Sequence, residues 1–368
     1  VSRIVIIGGG IAGVSAAARL APFARVTLLE GENSLAYHAS GRSAAMFLLH
    51  YGNTAIKALN AASADHHRYA EGGVLSPRGM MMVAAHAHEE AFRADSADLG
   101  LDAITMDEAA SLWPILNRKT MGHAAYRADA QDIDTDLLIQ NFARTARAHD
   151  AQIVTGSRVS GINRQASGWR VTTADGQVHE GDLLVNAAGA WADGVAQMAG
   201  LRPLGIQPFR RSMARIALPQ GMSPVDWPFV DGVGESWYCK PDAGALIVSP
   251  ADEDPVPPQD AWADDMVLAE GLARYQEAVT EPVTRMLANW AGLRSFAPDR
   301  ALVIGADAEE PSFFWCAGQG GYGFQTAPAA SQLLADLVLK STPTLDKATV
   351  AALDPKRFSA HVAPIEPA

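Results

Sequence analysis

Cysteine is nearly missing from the chain. Cys239 and Cys316 are the only two, which excludes a disulfide framework and a cysteine-built zinc site. Thiols this scarce suit a reducing compartment, and a cytoplasmic protein is expected. No apolar run reaches the roughly 18 residues of a membrane helix, so no transmembrane segment is expected. Positive charge is short as well: 29 Lys and Arg stand against 41 Asp and Glu, a net charge of −12. That balance repels a phosphate backbone and argues against a nucleic-acid partner. Nucleophile-elbow and Walker motifs are absent, as are internal repeats and low-complexity tracts. The stretch from Arg3 to Ala18 imitates a secretory signal, but Gly8, Gly9 and Gly10 would break its apolar helix.

Core-forming material is plentiful. Of 368 residues, 48% are hydrophobic, which supports two domains or one large one. Arg3 to Ile7 is a β-branched run of the kind buried in parallel sheets. Gly8-Gly9-Gly10-Ile11-Ala12-Gly13 follows, then an Ala-rich helical stretch from Val14 to Leu20 and a second strand, Val26 to Leu29, ending at Glu30. Strand, glycine turn, helix, strand and acid in that order form the βαβ dinucleotide unit. Gly8 allows the tight turn, Gly10 the approach of a pyrophosphate, and Gly13 close helix–strand packing. Glu30 is placed to accept a hydrogen bond from a ribose 2′-hydroxyl. An adenine dinucleotide, FAD or NAD, is the expected cofactor.

Further along, Asp134 reads as the cap of a helix to about Ala148, and short strands follow at 152–154 and 159–163. Trp169–Thr172 and Gln177–Glu180 read as a hairpin across Asp175-Gly176, and Leu183–Val185 as a buried strand. A helix spans about 263–277. The segment 83–131 shows no clean period and has no assigned elements. Asp132, Asp134 and Asp136 imitate a calcium loop, but Leu137 and Ala143 occupy the positions that need Gly and Glu. Neither His66-His67 nor His86-x-His88 has the spacing of paired helical ligands, so no metal site is expected.

A second glycine cluster, Gly318 to Gly323, lies between a strand at Phe313–Cys316 and a helix at Ala327–Leu339. It serves packing alone, or it points a helix N-terminus at a group that gains negative charge on reduction.

Taken together, these motifs resemble the FAD-dependent amine and amino-acid oxidoreductases typified by D-amino-acid oxidase, glycine oxidase and monomeric sarcosine oxidase. Within that group the chain looks most like the bacterial D-arginine dehydrogenase type. The resemblance rests on Gly8–Gly13 with Glu30, His38–Ala45, Ser76–Arg78, Asp132–Asp136, Asn186–Trp191, Arg210–Ser212, Glu235–Tyr238, Lys240–Gly244, Trp290–Phe296 and Gln319–Gly323. It implies an α/β fold, a Rossmann-like FAD-binding domain with a discontinuous α+β substrate domain whose mixed sheet roofs the flavin. Residues 1–75, 135–200 and 293–345 are expected to build the first, 76–134 and 201–292 the second, with 346–368 a C-terminal tail, loose after Pro355.

The resemblance also implies roles. Gly8, Gly10, Ile11, Ala12, Gly13 and Glu30 would hold the dinucleotide, Gly41, Arg42, Ser43 and Ala44 would lie along the flavin, and Val159 would meet the adenine. Gly189 and Trp191 would pass the pyrophosphate and ribitol, and Gly320, Gly321, Tyr322 and Gly323 would sit at the pyrimidine end. No Cys follows Arg294 within Ser295–Gly305, so the FAD is expected to be non-covalent. Arg294 and Arg211 would fork onto a substrate carboxylate, with Tyr238 and a loop-borne Tyr51 adding hydroxyls and the Gly321 carbonyl orienting the amine.

Two departures bear on substrate. Where arginine-preferring members carry His and Glu, this chain carries Met46 and Met80. A neutral or apolar D-amino acid is therefore expected, oxidised to an imino acid and then a 2-oxo acid plus ammonia, with oxygen or a quinone as electron acceptor. His50 is the nearest histidine to Met46, and the proton acceptor stays open. The alternatives are an N-substituted glycine or opine-like secondary amine, and a non-catalytic flavin-binding assembly protein.

Overall fold

The computed structural model describes residues 2–358. At its centre Arg3–Ile7 pairs in parallel with Arg25–Leu29 on one side and Leu183–Asn186 on the other. Gln152–Val154 extends the first side, and Phe313–Ala317 and then Val303–Ala306 extend the second, giving six strands. Only the outermost pair is antiparallel. These are the short β-branched and apolar runs of the sequence, buried because both faces are covered.

Helices Ile11–Leu20, Thr135–Ala148 and Gly323–Leu339 cover one face. Buried alanines at 16, 17, 143, 146 and 330 let them approach closely. The Asp134 carboxylate accepts from the Leu137 N–H at 2.8 Å, a cap worth about 1 kcal/mol. An antiparallel layer, Val159–Gln165, Gly168–Thr173 and Val178–Gly181, packs Trp169 and Val171 onto the other face.

Helix Gly323–Leu339 starts earlier than the sequence pattern suggested and carries Pro328 inside it. Proline has no N–H to give and crowds the preceding turn. The neighbouring helix Thr54–Tyr69 repairs the ladder. Ser63 Oγ donates to the Thr326 carbonyl at 3.3 Å and accepts from the Ala329 N–H at 3.1 Å, while His67 Nε2 donates to the Gln325 carbonyl at 3.0 Å. The start of the long helix, where the second glycine cluster sits, is thus held from the side.

A mixed sheet of nine strands stands beside this unit, in the order 254–255, 207–216, 245–249, 238–242, 229–232, 80–85, 121–127, 102–104, with 286–296 also on 207–216. Strand alternation separates its faces. Met81, Val83, Ala214, Ile216, Val230, Cys239 and Val248 form one core with Trp113 and Tyr275. The other face carries Met80, Met82, Met213, Phe229, Tyr238 and Ile247, against which Ala44 and Met46 pack.

The segment 83–131, unassigned from sequence, holds helices Glu89–Leu99 and Met106–Leu112 between short strands, too brief to show a period. The expectation of looseness after Pro355 fails for its first residues, Pro355–Phe358 forming a helical turn, and the tail before them is helical too. Asp346 caps a helix, Lys347–Leu353, by accepting from the Ala348 and Thr349 amides at 2.9 Å. Leu353 is fully buried, and Arg357 pairs with Asp299 at 2.7 Å. Residues 359–368 of that tail lie outside the described residues. Among the described residues no helix is long and apolar enough to cross a membrane.

Candidate active site

A cavity of about 430 Å³ runs from the first glycine turn, along the 42–46 segment, to the second glycine cluster. Gly8 shapes its first end. Its φ is +111°, and a β-carbon there would collide with the Ala187 carbonyl. Glu30 spans the turn beside it. One carboxylate oxygen accepts from the Gly9 N–H at 2.6 Å and the other from the Glu32 N–H at 2.7 Å. Helix Ile11–Leu20 opens onto the cavity with no side-chain cap from Gly10. Ser40 Oγ accepts from the Ile11 N–H at 3.0 Å, leaving the amides of Ala12 and Gly13 without a protein acceptor.

The middle wall is fixed by charged side chains. Arg42 donates to the carbonyls of Ala261 and Ala291 at 2.8 and 2.9 Å and to Asp260, and Trp290 Nε1 donates to the Arg42 carbonyl. Lys240 reaches from the mixed sheet to the Ala44 and Ala45 carbonyls at 3.2 and 3.3 Å. Its ammonium also pairs with Asp132 at 2.7 Å, whose other oxygen takes Arg78 at 2.7 Å. Asp132 is thus half of an ion network that holds the cavity wall.

At the far end the Arg294 guanidinium lies against Gly321, where a β-carbon would sit 3.1 Å from Cζ. Tyr51 lies beside the same guanidinium and acts on its charge, and its ring meets that of Tyr322 at 5.2 Å. Burial pushes the Tyr51 hydroxyl up to about 12 although Arg294 pulls it down. Burial works to lower the pKa of Arg294, but Tyr51, Tyr238 and Glu235 outweigh it and hold the guanidinium charged. Arg211 is 3% exposed, and its Nε has no hydrogen-bond partner. Its nearest carboxylates, Glu235 and Glu253, are 3.8 and 3.9 Å away. The Tyr238 hydroxyl meets the Met213 sulfur at 3.4 Å.

The site residues expected from sequence fall into two groups. Gly8, Gly10, Ile11, Ala12, Glu30, Arg42, Ser43, Ala44, Met46, Val159, Gly189, Trp191, Arg211, Arg294, Gly320, Gly321 and Gly323 line the cavity. Gly13, Gly41, Tyr51, Tyr238 and Tyr322 do not, the two glycines being pressed against the carbonyls of Gly8 and Ala36 respectively. Two substrate-pocket expectations are corrected. Met80 is 3% exposed and belongs to a packed cluster with Leu48, Met82 and Phe92, so it supports the wall rather than forming it. His50 is exposed, and its ring lies beside Gly100 on the outer surface of the loop.

A family model described as FAD dependent oxidoreductase, DAO, matches residues 3–337. The chain belongs to the DAO family of FAD-dependent oxidoreductases. Glycine oxidase of Bacillus licheniformis is 24% identical over 365 residues, 91% of this chain and 92% of the relative. Hydrogen cyanide synthase subunit HcnC of Pseudomonas aeruginosa is 26% identical over 240 residues, 63% of this chain and 55% of the relative. The matched region thus spans about half the length of that relative. The crystal structure of L-proline dehydrogenase from P. horikoshii superposes with a TM-score of 0.82, covering 97% of this chain and 98% of that one at 23% identity, and shares the fold.

The DAO-family cofactor, FAD, fits the residues present. The free amide of Ala12 and the close approach that Gly8 permits make the cradle a pyrophosphate requires. No cysteine lines the cavity, and burial holds the thiol of Cys316 up at about 12. Several site groups escaped the sequence reading. Ser40, Lys240 and Asp132 act through contacts distant in the chain, which no local motif encodes. His38 stacks on Trp191 at 4.7 Å and meets Glu32 at 3.1 Å on the cavity wall.

Proposed function

We propose that the protein oxidises an α-amino acid, a D-amino acid by its resemblance to the D-arginine dehydrogenase type, giving an imino acid that hydrolyses to a 2-oxo acid and ammonia. The observation that carries this is the pair of guanidiniums, Arg211 and Arg294, on the wall where the cavity ends, with Tyr51 and Tyr238 close enough to Arg294 to act on its charge. FAD when bound supplies a hydride acceptor at flavin N5. Gly8, Gly10, Ala12 and Glu30 would hold its dinucleotide, Ala44 and Ser43 its ring edge, and Gly320–Gly323 its pyrimidine end.

The protein's own part is to bind and orient. Arg294 sits fixed against Gly321 and presents a fork to a carboxylate. Arg211, buried with an unpartnered Nε, has donors to spare. Tyr51, kept protonated to about 12, donates to the same carboxylate. With that end pinned, the Gly321 carbonyl accepts from the amine, and Cα–H turns toward the ring. Among the described residues no histidine stands beside Arg294 and Gly321 to take the amine proton, which passes to water, or the amine binds already deprotonated.

The apolar side-chain expectation keeps one of its two supports: Met46 lines the cavity, while Met80 is packed behind the wall. Secondary amines form a second reading, favoured by the fold shared with an L-proline dehydrogenase. Reoxidation would use oxygen or a quinone, and the free, buried Cys239 and Cys316 suit a cytoplasmic setting. Replacing both Arg211 and Arg294 by Ala tests the reading. Loss of flavin reduction with FAD retained supports it, and undiminished reduction refutes the carboxylate assignment.

A further inference from the structure

Arg211 stands between two carboxylates and bonds neither. One terminal nitrogen of its guanidinium lies 3.8 Å from Glu235 and 3.9 Å from Glu253, beyond hydrogen-bond reach. The side chain is nonetheless buried, only 4% exposed. A buried cation gains most from a carboxylate that closes on it, so these two are held by something else. Glu235, 58% exposed, can turn into water. Glu253 is held by a third arginine. The same Glu253 oxygen that faces Arg211 accepts from Arg300 at 2.6 Å.

Both partners of that pair are placed by their surroundings. Glu253 sits in an acidic run whose neighbours are tied down. Asp252 accepts from the Ser212 N–H and hydroxyl at 2.6 and 2.8 Å, and Asp254 pairs with Arg210 at 2.7 Å. The backbone of Glu253 is thereby fixed, and its side chain alone chooses between two guanidiniums. Arg300 takes a left-handed backbone, φ +61°, and lays its guanidinium over the Phe296 ring at 3.8 Å. Phe296 in turn fills the space beside Gly320, where a β-carbon would sit 2.3 Å from the ring. Arg300 is thus anchored to the second glycine cluster while it holds Glu253.

We propose that Arg300 keeps the substrate site open by withholding Glu253 from Arg211. Left alone, Glu253 would close on Arg211 and take the donors that a substrate carboxylate needs. Held at Arg300, it leaves them free, and its charge is offset before the substrate's own negative charge arrives. Arg300 is a positioning residue that acts on the substrate through Glu253 and Arg211. The inference rests on the reading of Arg211 as a carboxylate anchor.

Propionate, which has a carboxylate but no amine to oxidise, tests it on the FAD-loaded protein through perturbation of the flavin spectrum. Arg300→Met should weaken propionate binding, and raise KM for an amino acid that reduces the flavin, by about fivefold, the scale of a half-exposed ion pair. FAD content and kcat should stay as in wild type. Arg300→Lys keeps a charge beside Glu253 and should bind nearly as wild type does. The decisive variant is the double, Arg300→Met with Glu253→Gln, which removes the competitor and should restore binding to the level of Glu253→Gln alone. A merely structural role for Arg300, through Phe296 and Gly320, gives no such rescue. Unchanged or tighter binding in Arg300→Met overturns the proposal, as does a double variant as weak as Arg300→Met. If wild type does not bind propionate, or Arg211→Ala binds it equally well, the carboxylate reading itself fails and the proposal falls with it.

Discussion

The guanidinium of Arg294 rests on Gly321, close enough that one added methyl group would sit 3.1 Å from Cζ. Gly321→Ala should therefore displace the guanidinium by a few tenths of an ångström without unfolding the chain. The expected result is a rise in KM of about tenfold for the amino-acid substrate, with FAD still bound. Steady-state kinetics against flavin content checks it, and an unchanged KM would detach Arg294 from substrate binding.

Glu30 bridges the Gly9 and Glu32 amides beside the first glycine turn. Glu30→Ala removes both charge-assisted bonds and the acceptor offered to a ribose hydroxyl. FAD affinity should fall by about tenfold to a hundredfold, as charge-assisted bonds of roughly 1.5–3 kcal/mol imply. Fluorescence of released flavin on dilution measures this directly.

Lys240 and Asp132 form a largely buried pair, with side chains 13% and 15% exposed. Lys240→Met strands Asp132 beside Arg78 alone and frees the Ala44 and Ala45 carbonyls. Breaking one side of such a pair typically costs about 3–5 kcal/mol, the upper end applying only to full burial. Denaturant unfolding should show a loss toward the lower figure. The double variant Lys240→Met with Asp132→Asn should recover part of it.

His67 ties helix Thr54–Tyr69 to the proline-interrupted helix Gly323–Leu339. Burial lowers its pKa from 6.5 to about 4 against the pull of the Gln325 and Phe324 carbonyls. The folded state thus binds this proton less readily than the unfolded chain does. The neutral form's contribution is complete above pH 6.5 and is lost as pH falls through about 4. The cost reaches roughly 3 kcal/mol at the acid end. Melting temperatures measured from pH 7 downward should drop over this window, and less steeply in His67→Gln.

Much of the cofactor half was legible because its information is local. The strand Arg3–Ile7, the glycine turn and Glu30 lie within one βαβ unit, and periodicity reads each of them. The substrate half was legible only through resemblance, which picked out Arg294, Arg211, Tyr51 and Tyr238. It failed at Met80, because a run of three methionines does not reveal how each is covered: Met80 and Met82 share one face of their strand, and the cluster with Leu48 and Phe92 buries both. Lys240 and Asp132 meet across more than a hundred residues of chain, beyond any window.

The most direct test of the central claim is anaerobic mixing of the purified, FAD-loaded protein with amino acids of both hands, N-methyl amino acids and 2-hydroxy acids, watching the visible flavin band. Bleaching by amino acids, abolished when Arg211 and Arg294 are both replaced by Ala, is the predicted result. Bleaching by hydroxy acids alone, or by nothing in the panel, would contradict it.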